Sequence, residues 1–249
     1  MQTLTLDELD IRDAKALRSV PLYARLRDLL RRDAFRFTIA PPGRGWQRVL
    51  FMNLTYWNAA DPNDLLEEAA IDADVVCHVA WHHAARKALA DRPLSADVLF
   101  LGESVASAFD LYLVGRIIGR VRGSSFLQTQ VPAMAAVAED AGLEAADFQA
   151  LMEAVAANPE RAFEDLRQLL FDAVSGLVTA QTAQEADALL EGFAGHRFAP
   201  LLHHYELASW VLFARAYASL TPDPALRAFD AELRAAPSSL DLLCARWAV

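Results

Sequence analysis

The chain has 249 residues, 54% of them hydrophobic and 22% charged, with 10 Gly and 11 Pro, a composition that supports a large core and excludes disordered and collagen-like classes. The formal charge of −10 is unevenly placed: residues 1–60 hold 10 Lys and Arg against 6 Asp and Glu, and the remainder hold 13 against 27. That acidic excess speaks against nucleic acid as the main partner, because phosphate neutralisation needs a basic surface.

Taken in chain order, the apolar periodicity predicts helices over 6–19 and 21–33. Pro21 opens the second, Leu26, Leu29 and Leu30 share its inner face, and its arginines solvate the other. Residues 34–57 change character, with Phe35, Phe37 and Ile39 alternating before a Pro-Pro-Gly-Arg-Gly turn and a β-branched, aromatic run to Trp57. That segment reads as a hairpin or a pair of short strands. From there every segment reads as helix: 64–90, 95–122, 130–141, 144–157, 159–180, 183–194, 198–219, 223–235 and a last one from Ser238 or Ser239. Ser95 and Thr182 stand at N-cap positions, the latter with Glu185 as a capping box. The expected class is mainly α, a multi-helix globular protein with a small β element near residues 34–57. Its expected organisation is an N-terminal part over 1–123 and a helical part over 124–249, or one continuous domain.

Targeting and cysteine usage bound the setting. The most apolar window, Val98 to Ile118, carries Glu103 and Asp110, so no membrane span is expected. The acidic N-terminus has no apolar stretch of the kind a secretory signal needs, and a cytoplasmic location is the expectation. Two cysteines, Cys77 and Cys244, give no disulfide framework and no thiolate zinc knuckle, so any metal would rest on His and carboxylate.

The six histidines fall in two groups, at 78, 82 and 83 and at 196, 203 and 204. On a helix His78 and His82 leave the same face and can converge on one ion, whereas His83 points about 100° away. In the next helix apolar residues surround Glu103 and Asp110, which lie nearly on one face with Ser107 between them. A buried ionised carboxylate costs several kcal/mol without compensation. The compensators open to it are a metal held with His78 and His82, protonated histidines, Arg116 and Arg120, or protonation of the carboxyls themselves.

The segments His78-Val79-Ala80-Trp81-His82 and Gly102-Glu103-Ser104-Val105-Ala106-Ser107-Ala108-Phe109-Asp110 resemble the helix pair of the gluzincin metallopeptidases, with Glu103 21 positions after His82. The resemblance covers about 35 residues and implies a zincin-like core with strands ahead of the first metal helix and helices after the second. It implies zinc as cofactor, His78, His82 and Glu103 as ligands, and Asp110 as a residue holding a ligand histidine in its tautomer. It also lets His203 or His204 face the open side of the metal. The family's general-base glutamate is Val79 here, so the implied protein has lost classical peptidase activity. His83 and His204 are the candidates for any replacement base.

Two other readings stay open beside this one. A metal-free helical binding or scaffold protein would use the same cluster as a satisfied polar core, with a groove lined by residues such as Leu201, Leu202 and Trp210. A carboxylate-bridged di-metal bundle would recruit Glu67 or Glu68, His78, Glu103 and His204 or Glu206, although it lacks the usual Glu-x-x-His pairs. Asp74 as an acceptor one turn before His78, Cys77 as a small buried residue, and Trp81, Tyr205 and Trp210 as core complete the ordinary assignments. The partner, protein or small molecule, is left unnamed by the sequence.

Overall fold

The computed structural model describes residues 1–41, 43 and 63–249, and these divide into two compact units, Met1–His83 and Ala84–Val249. The architecture is mainly α, with all the described strands in the first unit.

In the first unit, β1 (Gln2–Thr5), β3 (Arg36–Ile39) and β4 (Asn63–Leu66) form one sheet, and β2 (Asp10–Arg12) and β5 (Ala70–Asp72) another. The central β3 runs antiparallel to β1 and parallel to β4, so that Phe37, fully buried, sits opposite both Leu4 and Asp64. The parallel β2–β5 pair is clasped at its edge by Arg12, which donates to Glu68 at 2.8 Å and to Asp72 at 3.1 Å.

These strands correct two helical expectations. Residues 6–19 form a single 3₁₀ turn (Leu6–Glu8) and β2, because Leu4, Leu6, Leu9 and Ile11 suit a strand–turn–strand path and Asp13 adopts a left-handed φ of 55° that ends any helical run. Residues 63–72 supply β4 and β5 before a helix begins at Ala73. Of the hairpin expected within 34–57 the described residues hold β3, which pairs with β1 and β4; residues 42 and 44–57 lie outside the described residues. Between them α1 (Pro21–Arg32) buries Tyr23, Leu26, Leu29 and Leu30, and closes with Ala34 at φ 48° while the N–H of Phe35 reaches back to Leu30 at 2.9 Å. The unit's last helix, α2 (Ala73–Ala88), runs unbroken through the partition.

The second unit is organised around α3 (Ala96–Ile117), capped by the Ser95 hydroxyl, which accepts from the Val98 N–H. Around it follow α4 (Ser125–Asp140), α5 (Ala145–Ala157), α6 (Pro159–Leu177), α7 (Ala183–Glu191), a 3₁₀ helix (Ala199–Tyr205), α8 (Leu207–Tyr217), α9 (Pro224–Ala235) and α10 (Ser239–Arg246). Helix α4 starts five residues before the expected 130, because Ser124 accepts from the Leu127 N–H and the helix carries Pro132 in its interior. The expected helix over 198–219 is broken at Glu206, whose φ of 49° separates the 3₁₀ helix from α8.

Helix α3 packs chiefly on α6 and also on α5, α8 and α9. By length and composition alone it could cross a membrane, so its two carboxylates do not disqualify it as expected; 83% of its most apolar stretch is buried within the structure, as in a core helix. Its N-terminal end is tied down by Asp97, which accepts from Arg227 at 2.7 and 3.0 Å and from the Asp223 N–H at 2.8 Å.

Candidate metal centre

Helix α2 presents a fully buried stripe of Ala73, Val76, Cys77, Ala80, Trp81 and Ala84. That stripe fixes the rotation of the helix, and His78 and His82 flank it, both half-buried. Their i, i+4 spacing sets the two rings 4.9 Å apart between centroids, with Nε2 to Nε2 at 3.2 Å. Glu103 comes from α3 and is 4% exposed. One ring nitrogen of each histidine and a Glu103 carboxylate oxygen all lie within 4.8 Å of one another.

This donor set suits a borderline-soft divalent ion. With metal–nitrogen bonds of about 2.0–2.1 Å and tetrahedral angles, two ligand nitrogens stand about 3.3 Å apart, close to the separation found. The same 3.2 Å also fits one imidazole N–H donating to the other imidazole's lone pair. Burial, reinforced by the charge of His78, pushes the His82 pKa down to about 3, so His82 is neutral at physiological pH and carries the lone pair that ligation requires.

A residue that sequence reading passed over also stands here. Asp64 on β4 is brought near His78, and burial raises its pKa to about 6 against the opposing effects of the Leu65 N–H and the His78 charge. The segment was expected to open a helix, which would have left Asp64 as an ordinary first-turn acid; only the parallel pairing of β4 with β3 brings it to His78.

The other expected site residues are placed as follows. Asp110 on α3 acts electrostatically on His204 and Tyr205. His83, a candidate base, has its Nε2 2.8 Å from Asp33 Oδ2 and its ring edge-on to Phe35 at 5.1 Å. His204, the other candidate, has its Nε2 3.2 Å from Gln130 Oε1; burial lowers its pKa, with Asp110 and Glu206 acting in the opposite sense. His203 is exposed, and the metal-capable group among the described residues contains neither of this pair. Glu68 is held on the surface by Arg12, and Cys77 and Cys244 are both buried thiols. Comparison with protein-family models, with curated proteins and with solved structures returns no match.

Proposed function

We propose that the chain is a divalent-metal-binding protein in which His78, His82 and Glu103 are the protein ligands and zinc is the preferred ion. The observation that carries this reading is the convergence of two imidazole nitrogens and a buried carboxylate oxygen at ligand spacing. Three protein donors of this kind match the ligand count of catalytic zinc sites, which keep a further position for water or substrate. Around them, burial keeps His82 neutral and Asp64 adds a carboxylate beside His78.

The zincin-like reading of the helix pair belongs to the same proposal, together with a loss of classical peptidase activity. Valine at 79 can accept no proton, so the chain lacks the group that would activate water in that mechanism. A bound ion would supply Lewis acidity and charge, and the chain's own residues hold and orient it.

Elemental analysis of protein purified without an affinity tag tests the proposal. One metal per chain is expected, with affinity falling by more than the ~10–100-fold typical of removing a supporting residue when His78→Ala or Glu103→Gln is introduced. Substoichiometric metal, or a content unchanged by His78→Ala, overturns it. A second reading rests on the same 3.2 Å contact taken as an imidazole–imidazole hydrogen bond: a metal-free helical binding protein, which requires melting that is insensitive to chelator.

A further inference from the structure

The second unit holds a cavity of about 790 Å³ between α7, the 3₁₀ helix and α8, well away in sequence from the metal-capable group. Seven alanines line it, among them Ala183 and Ala186 on α7 and Ala208 on α8, and these short side chains leave open the space that leucines would fill. Leu190, Leu207 and Val211 complete apolar walls, and Leu212 stands 66% exposed on the lining. A volume in the range of ~300–1,000 Å³ with apolar walls and few polar groups is the usual form of a small-molecule site.

The charged groups on the lining choose the ligand. Arg215 spends its Nε and Nη2 on the carbonyls of Leu177, Val178 and Ala180, so it caps the C-terminal end of α6 and offers those donors to nothing else. Glu206 differs: among the described residues its carboxylate makes no hydrogen bond or ion pair and acts only electrostatically on the neighbouring His204, and its backbone is left-handed at φ 49°. His203 beside it is exposed and lines the same space.

We propose that this cavity binds a small amphipathic amine, its apolar body against the alanine, leucine and valine walls and its ammonium group at Glu206. The site is separate from the metal proposal and shares no residue with it.

Calorimetric titration of the full chain with octylammonium, octanol and octanoate, each below its aggregation concentration, tests the assignment. Octylammonium should bind saturably at one per chain, about fivefold more tightly than octanol, the ratio for a partly exposed ion pair of ~1 kcal/mol, with octanoate weakest. Glu206→Gln should bring octylammonium to the octanol level while both still bind. Ala186→Trp on α7 and Ala208→Trp on α8 should each abolish binding of all three; either alone suffices if the other fails to fold. No saturable binding of octylammonium, tighter binding of octanoate, indifference to Glu206→Gln, or binding that survives a folded tryptophan variant overturns the proposal.

Discussion

Arg167 on α6 has no exposed surface, and its guanidinium is engaged on several sides. Nε and Nη2 donate to Glu164 at 2.8 and 2.6 Å, and Nη1 donates to Asp230 of α9 at 2.7 Å. Asp230 also accepts from Arg234, whose remaining donors reach Asp172 at 2.7 and 2.9 Å. Removing one partner from such a buried set strands the others, so Arg167→Met is expected to destabilise the protein by ~3–5 kcal/mol in urea unfolding. A loss below about 1 kcal/mol would show that the cluster contributes little beyond packing. The pH dependence gives a second readout. Burial alone would raise the Glu164 pKa, but the Arg167 hydrogen bonds and charge, joined by hydrogen bonds from Ser239 and Gln168, outweigh it and hold the group below the ordinary 4.5. A carboxyl depressed in the folded state adds stability that is fully present above its unfolded pKa and lost as pH falls through the folded one. Wild-type stability should therefore decline below about pH 4.5 in part through Glu164. In Arg167→Met only the Gln168 and Ser239 hydrogen bonds still oppose burial, so the Glu164 pKa should rise and its stabilising contribution shrink, and the difference between the two proteins narrows on acidification.

At the scale of elements, helix α3 shows how a close approach is written as a single glycine. A Cβ on Gly115 would stand 2.8 Å from the Val155 carbonyl oxygen and 3.0 Å from its Cγ1, and the first of these is backbone that cannot swing aside. In an exposed helix, alanine for glycine would gain about 1 kcal/mol of propensity. Here overpacking costs of ~1–3 kcal/mol oppose it, and Gly115→Ala is expected to lower the urea midpoint. An unchanged or raised midpoint would mean that α3 and α5 separate at no cost. The same helix was the most legible element in the sequence, since Ser95 marks its start and apolar residues surround it on every side. The strands β1, β2 and β4 were not legible: each has three or four residues, and their pairings join Thr3 to Thr38, Ile11 to Ile71 and Thr38 to Leu65, links that no local periodicity encodes. The candidate site divides in the same way. The His78–His82 pair and Glu103 follow from helical spacing and from the anomaly of a carboxylate in an apolar helix, while Asp64 depends on a strand register and stayed hidden.

For the whole molecule, the relevant quantity is how folding and ion binding are linked. Two of the three donors are close in sequence, but Glu103 lies 21 residues beyond His82, so the unfolded chain does not present the full set. An ion that binds the folded state alone stabilises it by about 2.7 kcal/mol at one hundred times its dissociation constant. For a chain of this length each kcal/mol moves Tm by roughly 2–4 °C, giving an expected rise of about 5–11 °C with zinc. The formal charge of −10 supplies a competing effect, because an acidic surface collects divalent cations without any site. Magnesium separates the two: it shares the charge but avoids imidazole ligands, so it should reproduce the diffuse component and little else. Thermal unfolding at fixed ionic strength should thus show a zinc shift well above the magnesium shift. His78→Ala should reduce the zinc shift to the magnesium level, while Ala208→Trp, on the wall of the separate cavity, should leave it intact. Equal shifts from the two metals, or a zinc shift retained in His78→Ala, would assign the effect to surface charge and remove the metal centre as the basis of function.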